Sequence, residues 1–162
     1  YPDAWEKFVE HIPPEERHDL KAAYAKRLTS DDPKVLKKAA MAWTLWEGSL
    51  VRLIPDESFA FNEEEFSPSF ARIENHYFSH DCFLESDDWI LDNVHVLREA
   101  KIPGLILQGR YDICTPMSSA WALHKAWPEA EFEVIPLGGH AGSDPHMTDA
   151  ILRATRSMQK KV

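Results

Sequence analysis

Ile102-Pro103-Gly104-Leu105-Ile106-Leu107-Gln108-Gly109-Arg110-Tyr111-Asp112 is the stretch on which the fold turns. Proline and glycine bracket a short, mainly apolar run, Leu105 to Gln108, whose length and flanks predict a buried strand. Beyond it, Met117 to Trp127 has helical spacing, and Glu131-Phe132-Glu133-Val134-Ile135-Pro136 alternates like a second strand. Gly138-Gly139-His140 then forms a loop, and His146 to Met158 a last helix. A strand-loop-helix order repeated twice implies parallel strands joined by a crossover helix. Two strands do not make a stable doubly wound sheet alone. Further strands are therefore expected from a missing N-terminal part or from another chain. The start at Tyr1, which is not an initiator methionine, also suggests a fragment, a processed chain or a trimmed form.

Upstream of this stretch the pattern is helical, and residues 1–98 are expected to form one domain apart from residues 99–162. Trp5, Phe8, Val9 and Ile12 make an apolar stripe that Pro13-Pro14 breaks. Glu15 to Leu28 reads as a helix carrying Leu20, Ala23, Tyr24 and Leu28. Asp32-Pro33 is a helix start, with a capping carboxylate and a proline in the first turn. Val35, Leu36, Ala39, Trp43, Trp46, Leu50 and Leu53 line one side of that helix, and Pro55 lies past its end. Glu63-Glu64-Glu65 reads as a solvated turn before a helix starting at Ser67-Pro68, with Phe70, Ile73 and Tyr77 on one face. Ser86-Asp87 starts a further helix with Ile90, Leu91, Val94 and Leu97.

The 162 residues suffice for one domain with a core. A formal charge of -9 argues against nucleic acid and anionic membrane as partners. No apolar run approaches the roughly 20 residues of a membrane span, and no signal peptide opens the chain. Cys82 and Cys114 form no CxxC or CxxH pattern, which argues against a zinc knot. Thiols in a reducing, cytoplasmic compartment are a simpler reading than a disulfide. His140, Asp144 and His146 offer metal-binding donors, but their spacing is loose and Pro145 constrains the loop; no metal and no cofactor are expected.

In an open parallel sheet, ligands bind beyond the carboxyl ends of the strands. Asp112 follows the first strand and His140 the second. Acid, then histidine, is the order of the last two members of the triad in α/β-hydrolases. There the carboxylate accepts the imidazole Nδ1–H, and the other ring nitrogen takes the nucleophile's proton. A turn or cap residue and a plain Gly-Gly-His loop are the alternative readings of the same residues. The nucleophile elbow of such enzymes, Gly-x-Ser-x-Gly, is not found in the chain. Ser49 follows Gly48 inside a helical pattern, and Ser143 follows Gly142 with no strand before it. In the hydrolase order the serine belongs upstream of Tyr1.

Four segments together carry a resemblance: Trp43-Thr44-Leu45-Trp46-Glu47-Gly48, Ala71-Arg72-Ile73-Glu74-Asn75-His76-Tyr77-Phe78, Gln108-Gly109-Arg110-Tyr111-Asp112, and Ala120-Trp121-Ala122-Leu123-His124-Lys125-Ala126-Trp127-Pro128. In this order they resemble prolyl aminopeptidases (proline iminopeptidases), serine exopeptidases with an α/β-hydrolase core and a helical cap. The resemblance implies the C-terminal part of such a fold: a helical cap, then the last two parallel strands and their helices. It also implies a peptide with an N-terminal proline as substrate, and the N-terminal half of the core as the missing structural partner. Carried onto this chain, it makes Asp112 the triad acid and His140 the base. Glu47 and Glu74 match cap glutamates that bind the substrate's amino group, and Phe78 an aromatic residue that packs on the proline ring. A desolvated ammonium requires paired anions, and both glutamates stand at the edge of apolar stripes, although boundary glutamates of no special role would stand there too. The chain departs from the family pattern where Thr115 replaces a cysteine three residues after the acid, with Cys114 before it. It departs again at Ala141-Gly142, where Ser-Ala is commoner. The other readings are a different α/β-hydrolase, such as an esterase or epoxide hydrolase, and a non-catalytic helical binding module.

Overall fold

Aspartate and proline set where several of the helices begin. The computed structural model describes residues 1–53 and 63–159. Pro2 opens α1 (Pro2–Glu10), where its missing N–H costs nothing. Asp19 caps α2 (Leu20–Leu28) by accepting from the Ala22 N–H at 3.0 Å. Asp32 accepts from Lys34 N at 2.8 Å at the head of α3 (Pro33–Leu50). Asp144 does the same for His146 N at 2.9 Å ahead of α8 (Pro145–Met158). Between these lie α4 (Glu63–Ser79), α5 (Trp89–Asp92), α6 (Val94–Glu99), β1 (Leu105–Gly109), α7 (Met117–Ala126) and β2 (Glu131–Ile135). The protein is therefore mixed α/β, mostly helical, with a two-stranded parallel sheet among the described residues. No described helix is long and apolar enough to cross a membrane.

Several expected boundaries shift for identifiable reasons. The helix expected from Glu15 to Leu28 is a 3-10 turn at Pro14–Glu16 followed by α2, because Asp19 takes the N-cap. The Glu63-Glu64-Glu65 run is not a turn: its backbone is the start of α4, and Pro68 lies inside that helix rather than at its head. The helix expected from Ser86-Asp87 is two short ones. Asn93 lies between them at φ −101° and ψ 4°, outside helical geometry, and the Trp89 carbonyl accepts both its side-chain amide at 2.7 Å and its backbone N–H at 3.1 Å. Leu53 lies beyond the end of α3 and is exposed, and Pro55 falls outside the described residues.

The chain forms two compact units. One comprises Tyr1–Ser49 and Pro55–Leu84, the other Leu50–Ile54 and Glu85–Val162. In the first, Phe8, Ile12, Tyr24, Leu28 and Trp43 form the core, with Ala39, Ala40 and Ala71 admitting close helix approach. Phe8 stacks on Tyr24 with centroids 4.5 Å apart and meets Trp43 edge-on at 5.8 Å. Such pairs contribute about 0.5–1.5 kcal/mol each beyond their area. The Tyr24 hydroxyl donates to the Phe8 carbonyl at 2.7 Å, so the one polar atom of this ring is satisfied where it is buried.

In the second unit β1 and β2 pair in register from Leu105 opposite Glu131 to Gly109 opposite Ile135. Successive strand side chains point to opposite faces. Ile106 accordingly packs, as do Leu97 and Leu123, against the buried cluster of Val94, Trp127 and Ala130 on the α6 and α7 side, and Leu107 against the cluster of Ile135 with Met147 and Ala150 of α8. Helices thus cover both faces of the sheet, and the parallel pairing brings the carboxyl ends of both strands to one edge of it.

Candidate active site

The two loops that leave the strand ends are laced together before any side chain is considered. Arg110 N donates to Ile135 O and Tyr111 N to Gly138 O, both at 3.0 Å. A Cβ on Gly109 would lie 2.1 Å from the Gly139 carbonyl oxygen and 2.8 Å from that of Gly138, so only glycine permits this approach. Val51 adds a third tie: its carbonyl accepts from His140 N at 3.0 Å and Ala141 N at 2.9 Å.

On this frame His140 Nδ1 lies 3.0 Å from Asp112 Oδ2. The carboxylate is nearly enclosed, its side chain 8% exposed, while the imidazole is 40% exposed. Asp112 Oδ1 accepts from Cys114 N at 3.0 Å and Thr115 N at 2.9 Å. Oδ2 also accepts from Thr115 Oγ1 at 2.8 Å. Burial pushes the Asp112 carboxyl up, but the Thr115 backbone and side-chain hydrogen bonds and the His140 contact together outweigh it and hold the group below the usual carboxylate range. Asp112 is therefore an anion at neutral pH and can only accept. Nδ1 then carries the ring proton, and Nε2 keeps a lone pair able to take a proton.

Asp112, Cys114 and His140 are the one group of histidine, cysteine and carboxylate side chains among the described residues whose donor atoms lie within 4.8 Å of one another. Two of the three are already hydrogen bonded together. His140, Asp144 and His146 are not gathered in this way, since Asp144 serves as the α8 cap. No disulfide joins Cys82 and Cys114. Ser49 Oγ donates to Trp46 O at 2.6 Å within its helix, and Ser143 Oγ accepts from Arg52 at 2.9 Å.

In the helical unit, Trp43 Nε1 donates to Glu74 Oε2 at 2.7 Å. Phe78, one turn further along α4 and 40% exposed, lies with its ring centroid 6.3 Å from that of Trp43. Glu47 is half-buried on α3, one turn beyond Trp43. Glu74 and Phe78 are thus joined through Trp43, which the sequence analysis placed in an apolar stripe and in a family-like segment without assigning it a role at the site. Gln108, Thr115 and Val51 were likewise not singled out as supports of the strand-end loops. Thr115 had a faint signal, an Asp followed three residues later by a hydroxyl, which is a turn-forming pattern. Gln108 and Val51 act through long-range contacts and had none.

These features define a mixed α/β protein with an acid–histidine pair where two parallel strands end. Comparison with known proteins adds what the chain is similar to. The chain is 48% identical over 157 residues to a proline iminopeptidase of Xanthomonas citri and 50% over 157 residues to a probable proline iminopeptidase of Leptolyngbya boryana. It is 46% identical over 162 residues to a proline iminopeptidase of Arabidopsis thaliana. The alignments take in 96%, 96% and 98% of this chain but 50%, 48% and 42% of the relatives. The chain is a homologue of the proline iminopeptidases along nearly its whole length and corresponds to their C-terminal part. It spans about half the length of the curated relatives it matches. No family model matches it.

Proposed function

We propose that this chain is the acid–base and substrate-selecting portion of a serine-type prolyl aminopeptidase, with the C-terminal architecture of an α/β-hydrolase. Residues 1–98 supply the helical cap, with α5 and α6 leading back to the core, and residues 99–162 the last two strands and their helices. The serine nucleophile and oxyanion hole belong to an N-terminal half of the core outside this chain, and the site of action is cytoplasmic. In that reading the serine attacks the carbonyl of an N-terminal proline. His140 Nε2 takes the serine proton and returns it to the leaving amine, while Asp112 holds the ring and stabilises its charged form. Glu47 and Glu74 receive the substrate's ammonium group, and Phe78 packs on the proline ring.

The single observation that carries this reading is the 3.0 Å contact between His140 Nδ1 and a nearly enclosed, anionic Asp112 at the ends of adjacent parallel strands. Homology to proline iminopeptidases supports the choice of substrate. The test is hydrolysis of a chromogenic prolyl amide by this chain alone and by a chimera in which the upstream half of the Xanthomonas citri relative precedes Tyr1. The chain alone is expected to be inactive. The chimera is expected to turn over, and to lose at least about 1000-fold in kcat on His140→Ala. Turnover by the chain alone that vanishes with His140→Ala would overturn the split. A chimera that cleaves simple esters but no prolyl amide would assign a different hydrolase.

A further inference from the structure

We infer that Thr115 is a positioning residue: its hydroxyl orients the Asp112 carboxylate and locks His140 in the tautomer that leaves Nε2 open. The inference concerns the pair's geometry and rests on the proposed function only for calling Nε2 the working atom.

Three polar atoms form a triangle. Thr115 Oγ1 lies 2.8 Å from Asp112 Oδ2, His140 Nδ1 lies 3.0 Å from the same oxygen, and Oγ1 to Nδ1 is 3.2 Å. The hydroxyl has one proton to place. If it pointed at Nδ1, the ring would have to be protonated at Nε2. Oδ2 would then face two lone pairs at hydrogen-bonding distance with no proton between them. With the hydroxyl proton on Oδ2, the Nδ1 proton goes to Oδ2 as well, and the Oγ1 lone pair sits beside it as a second acceptor. Only this arrangement satisfies all three atoms. A carboxylate alone would favour the same tautomer, but it could rotate. Here the hydroxyl holds Oδ2 while the Thr115 and Cys114 N–H groups hold Oδ1.

The hydroxyl is itself fixed. Pro116 restricts the Thr115 backbone to extended conformations, and β-branching stiffens its side-chain torsion. The Thr115 carbonyl accepts from Gln108 Nε2 at 3.1 Å. Gln108 is a buried strand residue whose amide also donates to Gly109 O at 3.1 Å. Position is thus passed from β1 through Gln108 to Thr115, and from Thr115 to both members of the pair.

The test is long-range proton–nitrogen NMR of the 15N-labelled chain, which reads the protonation of each His140 ring nitrogen without any catalytic assay. The wild-type ring is expected to be protonated at Nδ1. Thr115→Val, isosteric but without the hydroxyl, is expected to give a tautomer mixture with Nδ1 proton exchange roughly tenfold faster. Thr115→Ser is expected to keep the wild-type pattern. A valine variant with an unchanged tautomer and exchange rate overturns the inference, as does a serine variant that behaves like valine. Should the valine chain fail to fold, the wild-type chain decides alone. A protected Thr115 hydroxyl proton close to the Nδ1 proton supports the inference, and a freely exchanging one overturns it. Failure of the prolyl-amide assay would leave these readouts unmoved, so the two proposals fail separately.

Discussion

Trp43 and Glu74, on different helices and far apart in the chain, share a 2.7 Å hydrogen bond from the indole Nε1 to a carboxylate oxygen. Trp43 is 4% exposed, so its N–H would be costly without an acceptor. Trp43→Phe removes the donor and some volume, and is expected to lower the unfolding free energy by about 2–4 kcal/mol. Urea denaturation measures it. A loss under about 1 kcal/mol would mean that the bond brings no net gain.

Acid should act on Asp112 in a definite direction. Its folded-state carboxyl titrates below the unfolded value of about 3.9. Its contribution to stability is therefore complete above that pH and is lost as pH falls through the folded value. Urea midpoints at a series of pH values between about 5 and 2.5 should fall more gently for Asp112→Asn than for wild type. Equal slopes would mean that the carboxylate is no better stabilised in the folded chain than in the unfolded one.

Tyr24 tests the helical core. Burial raises its phenol well above the usual value, so the folded state keeps it neutral while the unfolded phenol ionises near about 10. This contribution is present below about pH 10 and fades as alkali carries the pH towards the folded value. Tyr24→Phe leaves the Phe8 carbonyl without its donor and is expected to cost about 1–3 kcal/mol at neutral pH. The variant should also lack part of the wild-type loss above pH 10, by denaturation in alkaline buffer.

Gly109→Ala addresses the two loops. The new methyl would meet the Gly139 and Gly138 carbonyl oxygens, which are backbone atoms without a flexible end to turn aside. A cost of at least about 1–3 kcal/mol is expected, with the His140 ring separated from Asp112. Thermal denaturation and the His140 nitrogen spectrum read the two effects. A stable variant with the wild-type spectrum would show that the loops part and re-form without harm to the pair.

Much of the chain's order was legible because it is written locally. Pro103-Gly104 and the apolar run announce β1, the alternation at Glu131 to Ile135 announces β2, and Asp32-Pro33 announces α3. That a strand is followed by Asp112 and another by His140 is also a local fact. What local pattern could not supply was anything decided by a distant neighbour. The start of α4 upstream of Pro68 overrides a propensity that would put proline in the first turn. The tight meeting of Gly109 with Gly138-Gly139, and the tie from Gln108 to Thr115, exist only once parallel strands have set a register. Trp43 could be read as core, but its N–H needed a partner that only the packed helices identify.

The carbonyl of Val51 bears on how such proteins can be recombined. Val51 directly follows α3, the helix that carries Glu47, yet it pins the backbone of the His140 loop. An exchange of the helical unit cut at its end, or a miniaturised chain running only from Glu85 to Val162, would retain Asp112 and His140 but discard the acceptor that shapes their loop. The graft boundary that respects the molecule is therefore not the one that the order of helices and strands suggests. Any transplanted helical unit has to leave behind, or bring with it, the short connector around Val51.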